Sequence, residues 1–96
     1  MTEKERKQVR LFDILYWMKS RPHRTTYDAW LWWASDSRRQ RVSSDTIGAD
    51  LRRLNGAGFI ARSSAVQNGC RTYHFTITRH GLRVIEDRER GIHADL

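Results

Sequence analysis

The sequence predicts an α+β domain in the order helix, helix, helix, β-hairpin, helix, with the first three helices forming a core. Three observations carry this. Apolar residues recur at helical spacing in residues 3–20 and 44–55. An Asn68-Gly69 pair lies between two β-prone runs, the strongest short-range hairpin cue. Thr78 opens a last helical stretch that turns Leu82 and Ile85 to one side. The 96 residues make one small domain, residues 1–96, without repeats, low-complexity tracts or a linker; the single proline, Pro22, marks a turn.

The first helix covers residues 3–20, with Val9, Phe12, Leu15, Tyr16 and Met18 or Lys19 at three-to-four-residue spacing, and Lys19-Ser20-Arg21-Pro22 ends it. Thr25 marks the second start. Its hydroxyl can cap a free N–H while Asp28, three residues on, answers back. The second helix spans residues 26–36. Its run Ala29-Trp30-Leu31-Trp32-Trp33-Ala34 is apolar all round, because residues ~100° apart circle the axis. Either a three-helix core wraps this helix, or Trp32 or Trp33 belongs to a dimer or partner interface. The basic stretch Ser35-Asp36-Ser37-Arg38-Arg39-Gln40-Arg41 exceeds the three or four residues of a helix-turn-helix turn. Helix two therefore continues through Arg39, or the turn carries an insertion.

The third helix, residues 44–55, has Ser43 or Ser44 as N-cap, Ile47, Leu51 and Leu54 on one stripe, and Gly56 or Gly58 as its left-handed stop. Ser44, Asp45, Thr46, Ala49, Arg52 and Arg53 fall on its polar side. The hairpin occupies residues 59–77, where Tyr73, Phe75 and Ile77 alternate as a half-buried strand does. The last helix spans residues 79–90, with Glu86/Arg90 and Arg83/Asp87 spaced as i,i+4 pairs on its outside.

Lys and Arg number 18 against 11 acids, a net charge of +7, which favours a polyanionic partner. Six arginines against two acids fall in residues 37–62. No apolar run approaches the ~20 residues that span a bilayer, and the N-terminus has no signal-peptide pattern. Cys70 is the only cysteine, so an internal disulfide and a CxxC metal site are excluded. His23, His74, His80 and His93 have no metal-ligand spacing, no carboxylate pair marks a pocket, and Gly56 and Gly58 are explained by a helix end. We expect no enzyme, no metal and no cofactor, and a cytoplasmic protein associated with the nucleoid of a bacterium or phage-infected host.

The segment V-S-x-x-T-I-x-x-D-L-R-R-L-x-x-x-G-F-I, residues 42–60, resembles the recognition helix and following strand of bacterial winged-helix repressors, the DeoR class especially. T-x-x-G-x-x-V-I, residues 78–85, resembles the close of many small regulators, and the layout from Val42 onward is loosely similar to small winged-helix proteins of Mu-like phages. The resemblance implies a winged helix-turn-helix domain that lays residues 43–55 in the major groove of double-stranded DNA, with Ser43, Thr46, Gly48 and Ala49 facing the bases. Repressors of that class commonly carry Arg or other polar residues at the last two positions. Gly48 and Ala49 donate nothing from their side chains, so sequence readout would rest on Thr46, flanking arginines and DNA shape.

The expected DNA-binding set is Arg38, Arg39 and Arg41 of the turn, Ser43, Ser44, Thr46, Ala49, Arg52 and Arg53 of the helix, and Arg62, Asn68 and Arg71 of the hairpin, near Gln67. A homodimer on a palindromic site is expected. The rival expectation is a protein-binding adaptor, phage-encoded, that uses the tryptophan-rich second helix.

Overall fold

A computed structural model describes residues 1–92 and 95–96 and contains α1 (Glu3–Met18), α2 (Thr26–Ala34), α3 (Ser44–Gly56), β1 (Ile60–Gln67), β2 (Cys70–Ile77) and α4 (Arg79–Glu89). His93 lies outside the described residues. Each helix starts on a side-chain cap. Thr2, Thr25, Ser43 and Thr78 accept the amides of Glu5, Asp28, Thr46 and Gly81, and Glu5 and Asp28 complete capping boxes by accepting back from the cap residues. Two helices end in the same left-handed way. After α3, Gly58 takes φ +83°, its amide reaches the Asn55 carbonyl, and the Phe59 amide returns to Leu54. Gly91 repeats the arrangement after α4.

The core is assembled from Leu11, Ile14, Leu15 and Met18 of α1, Ala29 and Trp33 of α2, Ile47, Leu51 and Leu54 of α3, and Ile60, Phe75 and Ile85 around them. The inward stripe of α1 differs from the expected one at its start: Val9 is exposed and Leu11 is fully buried. Helix one also stops two residues early, and Lys19 is its C-cap. A buried ion pair ties α1 to α3. Arg10 donates from Nε to Asp50 Oδ2 at 2.5 Å and from Nη2 to Oδ1 at 3.3 Å, with both side chains almost wholly out of solvent. Asp50 lies three residues after Ile47 and four before Leu54, on the helix's inward side, so the carboxylate needs a buried partner.

β1 and β2 pair antiparallel from Ile60 opposite Ile77 to Gln67 opposite Cys70. Asn68 and Gly69 make the two-residue turn with φ of +52° and +77°, the geometry of a type I′ hairpin. A short third edge comes from the α1–α2 connection, where Arg24 and Phe75 exchange both backbone hydrogen bonds, at 3.0 and 2.7 Å. α4 docks on the hairpin base through Gly81. A Cβ there would stand 2.2 Å from the Phe59 carbonyl oxygen, and the same carbonyl accepts from the Thr78 amide and hydroxyl. The T-x-x-G pattern thus has one physical cause, since cap and glycine both fit around Phe59. The expected Glu86/Arg90 and Arg83/Asp87 pairs are not closed among the described residues.

The long turn resolves as an insertion. α2 ends at Ala34, Ser35 is its C-cap, and the chain runs through residues 36–42 before Ser43 starts α3. The core takes up Trp33, against the interface expectation for that residue, while Trp32 is only partly covered. Trp33 is only 5% exposed and donates its Nε1–H to the Gln40 carbonyl at 2.7 Å. Trp32 is half-buried, stacked on Trp17 with ring centres 5.1 Å apart. The large apolar residues that α2 leaves exposed are Tyr27 and Leu31.

Candidate nucleic-acid interface

α2 and α3 pack against each other across the long turn, and this turns one face of α3 outward. With Ile47, Leu51 and Leu54 buried, Asp45, Ala49 and Arg52 fall on the opposite side and are exposed. Ser44 is exposed at the helix start. Ser43 spends its hydroxyl on the cap, with Oγ 3.1 Å from the half-buried Thr46 hydroxyl. The helix start retains amides that no backbone carbonyl of the helix can reach, a favourable end for an anion. Gly48, which the resemblance put against DNA, is buried instead. An added Cβ would meet Thr26 of α2 at 3.7 Å.

The arginines separate by what they already hold. Arg39 turns back over α2, donating to the carbonyls of Trp32 at 2.6 Å and Trp33 at 3.3 Å, with its guanidinium 4.2 Å from the Trp32 ring centre. It satisfies the open carbonyls of the helix C-terminus and stacks on an aromatic face at once. Arg38 is bound to Asp36 by two side-chain hydrogen bonds of 3.0 and 2.9 Å. Those bonds hold the Asp36 carboxyl far below the usual carboxylate range and push Arg38 upward. Arg53 gives Nε and Nη2 to the Leu96 carbonyl, which Gln8 also holds at 2.8 Å. Each of these three has a partner within the chain, Arg38 on the surface with its side chain 87% exposed.

Arg41, Arg52 and Arg71 are exposed and have no hydrogen-bond or ion-pair partner among the described residues. Arg62 lies over the Tyr73 ring at 4.7 Å on the hairpin face, and Asn68 is exposed at the turn. Of Gln67 only the backbone is described. Within the expected DNA-binding set, the free cations therefore occupy three separate elements: the turn before α3, the middle of α3 and the hairpin. Thr26 and Tyr27, in the first turn of α2, were not singled out in the sequence; Thr26 borders Gly48, and Tyr27 is 65% exposed. Only the packing of two helices places them there.

The described residues hold no cluster of His, Cys, Asp and Glu suited to a metal ion. Cys70 is a free, exposed thiol on β2. No described helix is long and apolar enough to cross a membrane.

Solved structures superpose on nearly the whole chain. A PadR family transcriptional regulator from Eggerthella lenta matches with a TM-score of 0.75 at 18% identity, over 91% of this chain and 74% of that one. A protein described as a transcriptional regulator from Thermoplasma acidophilum gives a TM-score of 0.80 at 20% identity, over 96% and 86%. The chain has a winged helix-turn-helix fold. Bacillus subtilis PadR in complex with operator DNA also matches, with a TM-score of 0.75 at 19% identity, over 92% of this chain and 49% of PadR. The winged-helix chain thus spans about half the length of that operator-bound protein. No protein-family model and no curated protein matches the sequence.

Proposed function

We propose that this winged helix binds double-stranded DNA as a small transcription regulator. The outward face of α3 enters the major groove, and the β1–β2 hairpin lies along the backbone or minor groove. The observation that carries the reading is the unpaired outward face of α3, exposed at Ala49 and Arg52 and flanked by the free Arg41. Small side chains there let the helix approach base edges, and the free guanidinium groups suit phosphate or guanine. The fold likeness to an operator-bound PadR supports it. The DeoR-like pattern of residues 42–60 supports use of the same helix.

Arg41, Arg52 and Arg71 carry the charge contacts in this account, whereas Arg38, Arg39 and Arg53 keep their internal bonds. The protein acts in the cytoplasm as a two-fold dimer on a palindromic site, without enzymatic activity. A monomer by sedimentation at high micromolar concentration would remove the dimer. Retention of a random-sequence duplex pool by the purified protein at low salt tests the function. Wild type is expected to retain the pool, and a variant with Arg41, Arg52 and Arg71 all changed to Ala is expected to lose it. No retention by wild type would transfer the reading to a protein-binding adaptor, phage-encoded, that uses the exposed Tyr27 and Leu31 of α2.

A further inference from the structure

Two side chains on α3 combine an outward position with freedom from internal partners, and they carry opposite charge. Arg52 is the first. Its guanidinium folds back along the helix into the space that Gly48 leaves empty, with Nη1 3.5 Å from where a Cβ on Gly48 would stand. The Thr26 methyl lies 3.7 Å from the same point. The planar fork is bordered by helix backbone and a methyl group, not by a carboxylate, so its donors stay uncommitted and its range of positions is narrowed. Ala49 beside it is short and exposed, which permits close approach of the helix to a groove floor. The second side chain is Asp45, exposed on the same side in the first turn of α3 and without an ion-pair partner among the described residues.

Resting on the duplex-binding reading above, the geometry points to Arg52 as the guanine-reading residue of α3 and to Asp45 as the group that selects cytosine. The chemistry is complementary. A guanidinium fork matches the two acceptors, N7 and O6, that guanine shows in the major groove. A carboxylate accepts from the N4 amino group of cytosine and is repelled by acceptor edges and by phosphate. The first turn of α3 suits an acid by the helix dipole, and on the DNA-facing side such an acid accepts from a base amino group while opposing phosphate. The seven-residue separation of Asp45 and Arg52 is about 10 Å along the axis at ~1.5 Å per residue. A helix lying along the major groove spreads two such residues over neighbouring base pairs. The preferred site therefore holds a guanine and a cytosine a few base pairs apart on the edges facing α3.

The test is selection and sequencing from a random duplex pool with wild type, Arg52→Ala, Arg52→Gln and Arg41→Ala. Both substituted positions are exposed, and circular dichroism checks that the fold is kept. Wild type should enrich a motif with the guanine and the spaced cytosine. Arg52→Ala should lower discrimination at the guanine about ten-fold or more while leaving the cytosine. Arg52→Gln should move that position toward adenine, whose N6 and N7 suit an amide. Arg41→Ala should weaken all sequences alike. Retention of the same guanine by Arg52→Ala overturns the assignment, as does wild-type binding without any motif, and both results leave duplex binding standing. Failure of wild type to hold duplex at low salt defeats the duplex-binding reading itself.

Discussion

Gly48→Ala and Gly81→Ala make the same chemical change inside two helices and should move stability in opposite directions. On helix propensity alone, Ala is favoured over Gly by about 1 kcal/mol. At Gly48 the new Cβ meets Arg52 Nη1 at 3.5 Å and Thr26 Cγ2 at 3.7 Å, both ordinary contacts, so most of that gain survives. At Gly81 the Cβ would lie 2.2 Å from the Phe59 carbonyl oxygen and 2.8 Å from Ile77 Cγ1. A carbon comfortably approaches a carbonyl oxygen to ~3.3 Å, so α4 must retreat by ~1 Å. That retreat stretches the Thr78 bonds to Gly58 and Phe59 and loosens Val84 and Ile85 in the core. Overpacking costs about 1–3 kcal/mol, and backbone resistance on the facing side places this case near 3.

A domain of this size is stable by about 5–15 kcal/mol, so the loss is a large share. At about 4–8 °C per kcal/mol, Gly81→Ala should lower Tm by roughly 12–24 °C, while Gly48→Ala raises it by a few degrees. Urea titration followed by circular dichroism measures both, with the slope unchanged if the unfolded state is the same. A Gly81→Ala protein as stable as wild type would refute the close docking of α4 on the hairpin base.

Three further substitutions test other parts of the account. Asp50→Ala strands the buried Arg10 guanidinium and should cost about 3–5 kcal/mol, whereas Arg10→Met combined with Asp50→Leu should recover most of the loss in urea titrations. Arg39→Ala removes two bonds to the α2 carbonyls and the stack on Trp32, so it should cost about 2 kcal/mol in the same assay. It should leave the salt slope of duplex binding intact, while Arg41→Ala lowers that slope by about 1. Burial raises the Asp13 carboxyl above its ordinary range, against opposing pulls from Arg88 and Arg39. The folded state then holds the proton more tightly, so this group's contribution is full below the unfolded pKa and is lost as pH rises through the folded one. Asp13→Asn should therefore raise Tm at neutral pH, and the advantage should disappear below the carboxylate range; an unchanged advantage in acid would contradict the assignment.

Local signals made most of the fold legible. Thr25 with Asp28, Ser43 and Thr78 mark helix starts because a cap needs only its own first turn, and Asn68-Gly69 sets the hairpin because φ > 0 is required at both positions. The site was less legible. Arg39 and Arg53 look like surface cations in the sequence, and only tertiary packing brings carbonyls of Trp32 and Leu96 to them. Asp50 did carry a signal, since it shares the helix side of Ile47 and Leu54, and a charge on that side needs a buried partner. The Arg24–Phe75 bridge had none, because a single paired residue leaves no periodicity. The tryptophans left two alternatives open for a related reason: six apolar residues circle a helix, and the pattern does not say which of them the neighbouring α1 and turn cover.

In the proposed duplex complex Arg41, Arg52 and Arg71 face phosphates or bases while Arg38, Arg39 and Arg53 stay bonded within the chain. Fluorescence anisotropy with a labelled duplex at several salt concentrations tests it most directly, on wild type and on the two triple-alanine variants. Wild-type affinity is expected to fall steeply with salt, by a slope of about 0.9 per neutralised phosphate. Changing the free three should flatten that slope, and changing the bonded three should leave it unchanged in protein that remains folded. A wild-type affinity insensitive to salt, or a slope that depends on the bonded three alone, would contradict the account.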